Sequence, residues 1–279
     1  MTGDLSTKRK NDQALSVNLL SNVRRTTGCP SLLVSVRSRQ EADCALAAGA
    51  DILDIKEPSL GSLGMAKIND ITEITHSPEI VSGKIPLSIA LGEVHDWSQE
   101  LRFPELPYGI TFAKLGMSGC TADRNWRAEW LRVRSGFRDR SSSKLQWVAV
   151  AYADSHQANS PDIYEVLMAA IETDCAGLLI DTFTKDGRRL NDEIDESSLI
   201  KIADTCHQSG LFLALAGRLN RESLPLLSNT NADVIAIRSA ACRGTDRTLQ
   251  LDASRIAEFQ KELQRSFGVK AVRSSSCAG

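Results

Sequence analysis

The stretch Gly49-Ala50-Asp51-Ile52-Leu53-Asp54-Ile55-Lys56-Glu57-Pro58, continuing Ser59-Leu60-Gly61-Ser62-Leu63-Gly64, decides the reading of this chain. Ile52, Leu53 and Ile55 form a short apolar run between a Gly-Ala pause and a proline that cannot donate to a sheet ladder, so the first half is a strand. The glycine-punctuated second half is a loop. Side chains two apart on a strand share a face, which puts Asp54 and Lys56 side by side at the strand's C-terminal end. Parallel-sheet enzymes keep their chemistry at that end.

Outward from this stretch the same alternation recurs. Strand-like apolar runs lie at 31–36, 85–91, 110–116, 145–152, 176–182, 211–217 and 233–238. Helical spacing is predicted over 39–48, 68–75, 122–137, 161–171, 195–207 and 222–227, and again from Asp252 through Leu263, with Gly49 and Gly210 acting as stops. Between 93 and 109, where a third helix is expected, Pro104 and Pro107 leave room for one or two turns around 97–101. Eight strand-helix repeats in about 240 residues match a single (β/α)8 TIM barrel. An open doubly wound sheet is disfavoured because no strand is followed by GxGxxG. The expected organisation is an α/β barrel over 29–268, preceded by a flexible polar N-terminal extension, 1–28, with one helical turn near 15–20. A flexible tail, 269–279, is expected to follow.

The 279 residues carry a formal net charge of −2, which gives no electrostatic case for nucleic acid or an anionic membrane. No apolar stretch approaches the roughly 20 residues that span a bilayer. Asp4, Lys8, Arg9, Lys10, Asn11 and Asp12 interrupt what would be the apolar core of a signal peptide, so a cytoplasmic protein is expected. Seven cysteines are scattered without a CxxC pair, as free thiols are, and this spread speaks against a zinc site. The outer helices offer no unambiguous self-complementary stripe, so a homo-oligomer stays open.

Ionisable residues stand at several strand ends: Asp54 and Lys56 on the second, Lys114 on the fourth, Asp181 on the sixth with Lys185 beyond, and Arg238 on the eighth. Alternate strands of a barrel feed one layer, so Lys56, Lys114 and Asp181 are expected to converge. Burial and a neighbouring ammonium both lower a lysine pKa from about 10.4, making a neutral amine available. That suits a carbonyl substrate, captured as an imine on one amine while a second amine or a carboxylate moves protons. The competing reading pairs the lysines with Asp54 and Asp181 as structural bridges.

A second constellation follows the last two strands: Gly217 and Arg218 after the seventh, then Arg238, Ser239, Ala240 and Arg243 after the eighth. Backbone N–H groups and arginine in these loops form the usual phosphate site of such a barrel. Cys242 is read as small-residue packing. His95, His156, Tyr152 and Asp154 sit at strand ends with either proton-transfer, orienting or plain loop roles.

At these residues the chain resembles a known family. Ala48 through Lys56 with Gly61-Ser62-Leu63-Gly64, Ala113-Lys114-Leu115-Gly116, Asp181-Thr182 with Lys185-Asp186-Gly187, Ala214-Leu215-Ala216-Gly217, and Arg238 with Ala240-Ala241-Cys242 are similar to (5-formylfuran-3-yl)methyl phosphate synthase, also called 4-(hydroxymethyl)-2-furancarboxaldehyde-phosphate synthase, of methanofuran biosynthesis and one-carbon metabolism. The likeness runs from about Ser31 to Phe267, with the motifs in the same order on successive strands.

The resemblance implies a class I aldolase-like lyase that condenses two molecules of glyceraldehyde 3-phosphate into a furan aldehyde phosphate, losing one phosphate and two waters, without cofactor or metal. It implies Lys56 as the Schiff-base lysine and Lys114 as the proton acceptor, with Asp181 and Lys185 in proton transfer and substrate orientation. Three features depart from the family pattern: a shorter, proline-rich segment over 93–109, Ser239 where glycine is usual, and the N-terminal extension. Another Schiff-base sugar-phosphate aldolase and a non-catalytic phosphate-binding barrel are the alternatives.

Overall fold

Eight parallel strands pair in chain order and close, the first against the eighth, in a computed structural model that describes residues 28–122, 125–141, 144–184 and 187–273. The elements are β1 (Ser31–Val36), α1 (Arg39–Ala47), β2 (Ile52–Ile55), α2 (Ile68–Thr75), α3 (Pro78–Val81), β3 (Leu87–Glu93), β4 (Phe112–Gly116) and α4 (Trp126–Arg138). They continue as β5 (Gln146–Tyr152), α5 (Ser155–Ala158), α6 (Ile163–Glu172), β6 (Gly177–Asp181), α7 (Leu190–Glu193), α8 (Glu196–Gln208), β7 (Phe212–Leu215), α9 (Ser223–Leu227), β8 (Val234–Ile237) and α10 (Ala253–Arg273). The expected N-terminal extension, apart from Gly28, lies outside the described residues, and so do 274–279.

The strands are apolar on both faces because each is buried on both faces. One set of side chains, including Leu33, Ile52, Phe112, Val148, Leu179, Phe212 and Val234, fills the barrel interior. The other, including Val34, Leu53, Ile89, Ala113, Ala149, Ile180 and Leu213, packs outward beneath the helices. The alternation holds on every strand, so the polar residues that replace apolar ones near the C-terminal ends, Ser35, Asp54, Ser88, Lys114 and Asp181, are carried inward by the same period.

Helix caps follow from local sequence. Ser38 accepts from the Glu41 N–H at the start of α1, Asp162 and Glu165 form a reciprocal capping box on α6, and Asp195 accepts from the Ser198 N–H on α8. α10 runs through Gly268 to Arg273, past the expected start of the tail. One glycine weakens the helical ladder without ending it.

No third outer helix of the regular kind follows β3. A 3-10 turn over Val94–Trp97 is the helical structure that forms there, starting three residues before the expected turns at 97–101. Aromatic rings cover the gap: Trp97 stacks on Phe103 at 5.5 Å between centroids, and Phe137 of α4 meets both edge-on at 4.8 and 5.0 Å. Phe103 lies where a Cβ on Gly136 would meet its ring at 2.2 Å, so α4 approaches this segment with no side chain between them.

Between Ala90 and Glu93 the β3–β4 register slips by one residue, with Gly92 at φ +83°. This bulge re-aims Glu93, whose Oε1 accepts from the Tyr152 hydroxyl at 2.6 Å and whose Oε2 accepts from the Ser118 N–H at 2.9 Å. A Cβ on Gly116 would sit 2.1 Å from Glu93 Oε2, so glycine is the residue this close approach admits.

Candidate active site

The C-terminal mouth of the barrel holds a cavity lined by Asp54, Lys56, Lys114, Asp181, Gly217, Arg218, Arg238, Ser239 and Arg247, floored by Leu33, Ile52, Phe112 and Leu179. Lys114, which is 4% exposed, pairs with Asp54 at 2.5 Å. The Ser35 hydroxyl donates to the other Asp54 oxygen at 3.2 Å. Burial pushes the Asp54 carboxyl up, but the charges of Lys114 and Lys56 and hydrogen bonds from Lys114 and Ser88 outweigh it and hold the group below the usual carboxylate range.

Lys56 differs from Lys114. Its Nζ donates to the Ser62 carbonyl at 3.3 Å, and no carboxylate of the described residues forms an ion pair with it. Burial pulls its amine down from the ordinary 10.5 to about 8, against the Asp181 and Asp54 carboxylates and with help from the charges of Arg247 and Lys114. The structural-bridge reading therefore fits Lys114, which has Asp54, and not Lys56.

The loop after β2 reaches across the mouth. A 3-10 turn over Pro58–Leu60 is capped by the Glu57 carboxylate, and the Glu57 N–H donates to the Gly64 carbonyl at 2.8 Å. The Ser62 hydroxyl donates to the carbonyls of Thr182 and Phe183 in the loop after β6, each at 3.1 Å. Arg247 Nη2 donates to the Gly61 carbonyl at 2.7 Å from the loop after β8. Three βα loops are thus joined around the Lys56 amine.

Asp181 is buried at the end of β6, and its Oδ1 accepts from the Thr182 N–H at 2.8 Å. Asp154 sets the course of the chain beyond it: its carboxylate accepts from the Phe183 and Thr184 N–H groups, both at 2.7 Å, and from the Thr184 hydroxyl at 2.6 Å. Tyr152, bonded to Glu93, packs edge-on against Phe183 at 5.3 Å. Both residues orient structure at the rim. Lys185, expected next to this site, lies outside the described residues.

Among the residues expected to bind phosphate, Gly217, Arg218 and Ser239 line the cavity. Arg238 does not have the donors for it. All five of its N–H groups are taken: Nε by the Arg247 carbonyl, Nη1 by the Ser35 carbonyl and Glu41, and Nη2 by Glu41 and the Leu249 carbonyl. Glu41, a buried carboxylate in the first turn of α1, converts a strand-end arginine into a structural strut. Ala240 and Arg243 are not on the cavity wall: Ala240 accepts from Arg255 Nε at 3.2 Å, and Arg243 is exposed. His95 Nδ1 donates to the Ser118 carbonyl at the rim at 3.0 Å, and His156 is exposed. Sequence reasoning missed Arg247 and the bridging role of Ser62. Arg247 lies in an irregular loop, where spacing carries no direction.

A family model described as 4-HFC-P synthase matches residues 32–260. The (5-formylfuran-3-yl)methyl phosphate synthase of Methanopyrus kandleri is 34% identical over 221 residues, covering 78% of this chain and 92% of that protein. The synthase of the same name from Methanobrevibacter smithii is 34% identical over 249 residues, covering 85% and 99%. This chain belongs to the 4-HFC-P synthase family.

Solved structures add the fold alone. Thiamine phosphate pyrophosphorylase from Pyrococcus furiosus superposes with a TM-score of 0.52 at 13% identity, covering 89% of this chain and 99% of that one. Within the 4-HFC-P synthase frame, the proline-rich segment after β3 packs on the outside through Trp97 and Phe103, whereas Ser239 faces the cavity. No helix of the described residues is long and apolar enough to cross a membrane.

Proposed function

We propose that the cavity condenses two molecules of glyceraldehyde 3-phosphate into (5-formylfuran-3-yl)methyl phosphate through an imine on Lys56. One observation carries this reading: an amine lowered to about 8, without an ion-pair partner among the described residues, stands beside a buried Lys114–Asp54 pair and Asp181. A neutral amine adds to an aldehyde carbon and, with loss of water, gives an iminium that acidifies the adjacent C–H.

Lys114, held by Asp54, gives its ammonium proton to the hydroxyl that leaves as water when the imine forms; the neutral amine so produced removes the C–H proton, and the resulting enamine carbon bonds to the aldehyde carbon of the second molecule. Asp181 orients the substrate and serves proton transfer. Ring closure through oxygen then expels one phosphate and two waters overall, which balances two triose phosphates against the furan product. Hydrolysis of the imine returns the water released when it formed. Gly217, Arg218 and Ser239 are assigned to the phosphate groups, and Lys185 keeps its expected part in proton transfer. This is lyase chemistry of the class I aldolase kind. We place it in the cytoplasm, since the described cysteines are free thiols and suit a reducing compartment.

Incubation with glyceraldehyde 3-phosphate tests the reading. A near-ultraviolet aldehyde chromophore and inorganic phosphate are expected together, and both are lost in Lys56→Ala. Absence of both products from the wild-type chain contradicts the proposal. Borohydride trapping on Lys56 without a furan product points instead to a different sugar-phosphate aldolase.

A further inference from the structure

Arg238 and Arg247 face the same mouth with opposite roles, and their difference identifies a ligand contact. Arg238 spends two of its donors on the backbone of the loop after β8, at the Arg247 and Leu249 carbonyls, and so pegs that segment to the rim. Arg247 is then held over the cavity wall, next to Arg218 and Ser239, and within electrostatic reach of Lys56 and Asp181. One edge of its guanidinium is used, through the Nη2 bond to Gly61. Its Nε is shielded from water and has no hydrogen-bond partner among the described residues.

A shielded guanidinium N–H without an acceptor is costly, and the side chain sits where a bound ligand supplies one. The planar fork matches two oxygens of a phosphate better than a point charge does. We propose that Arg247 recognises a dianionic phosphate group in the cavity and, through Gly61 and the adjoining Ser62 carbonyl on Lys56, ties phosphate occupancy to the position of the nucleophilic amine. The phosphate monoester as ligand rests on the proposed triose phosphate substrate, whereas anion binding itself is readable without turnover.

The test titrates the full chain with inorganic phosphate by calorimetry, and measures the concentrations of glyceraldehyde 3-phosphate and of unphosphorylated glyceraldehyde that give half-maximal borohydride trapping. Arg247→Gln is expected to weaken both inorganic phosphate and glyceraldehyde 3-phosphate by at least about tenfold, and trapping by glyceraldehyde, which loses only the Gly61 tether, by a clearly smaller factor. Arg247→Lys is expected to recover only part of the affinity, because an ammonium keeps the charge and lacks the fork. Thermal unfolding midpoints of both variants establish that they are folded. Unchanged phosphate affinity in Arg247→Gln overturns the inference. So does an equal loss with glyceraldehyde, which marks Arg247 as a loop prop only. If the wild-type chain makes no furan product yet binds phosphate through Arg247, the proposed function fails and the anion contact stands.

Discussion

In the proposed reaction Lys56 is the nucleophile because burial brings its titration down to about 8, within reach of neutral pH, while Lys114 keeps a carboxylate partner. The rate of imine formation should therefore rise with pH toward about 8 and level off above it, as the neutral amine becomes the dominant form. A profile flat from pH 6 to 9 contradicts that assignment. The same group has a linkage consequence. Its folded pKa lies below the unfolded value, so between about 8 and 10.5 the unfolded chain holds more proton and stability rises with pH. Lys56→Met should accordingly be more stable than wild type below pH 8, by up to about 3 kcal/mol in denaturant titrations, with the difference shrinking toward pH 10.5. Asp54→Asn does the reverse: it leaves the Lys114 ammonium buried without its carboxylate, and a loss of about 3–5 kcal/mol is expected together with loss of turnover. These residues were readable from sequence because strand period and barrel layering place Asp54, Lys56, Lys114 and Asp181 without any distant information. Arg238 was not, since the Glu41 that claims it lies 197 positions away and looks, locally, like an ordinary first-turn acid. Arg247 escaped for the opposite reason, standing in an irregular loop with no period to point it inward.

At the scale of elements, the loop after β2 does more than connect. Its hydroxyl at Ser62 holds the loop after β6, and its carbonyl at the same residue holds the Lys56 amine. Ser62→Ala should lower turnover roughly tenfold with little change in global stability, as expected for about 1–1.5 kcal/mol of lost hydrogen bonding in a local structure. An unchanged kcat argues that the loops find their places without it. Gly64 is bound by space, since a Cβ there would meet the Glu57 carbonyl at 2.4 Å. The sequence quoted both residues without revealing either contact, because each partner lies in the folded loop. Main strands and long helices were legible to within a few residues, apart from the C-terminal end of α10, whereas α3, α5 and α7, each of four residues, are too short for a helical period to register. The missing third helix was foreseen from Pro104 and Pro107, but not the cluster of Trp97, Phe103 and Phe137 that covers its place. Phe137→Ala should cost about 3–5 kcal/mol in equilibrium unfolding, since this fully buried ring replaces a helix's worth of cover.

Across the whole molecule, closure of β1 on β8 brings residues from both ends of the described chain to one mouth: Lys56 and Ser62 from the second repeat, Asp181 from the sixth, Arg218 from the seventh and Arg247 from the eighth. An open sheet of the same elements would separate the first and last strands, and the loops after β2 and β8 could not share the Gly61–Arg247 bond. The family likeness and the geometry meet at one nitrogen. Mass spectrometry after borohydride reduction of the wild-type chain with glyceraldehyde 3-phosphate examines it directly. The account predicts one covalent adduct, located on Lys56 and absent from Lys56→Ala; an adduct confined to Lys114 or another lysine, or furan product formed with no trappable adduct at all, contradicts it.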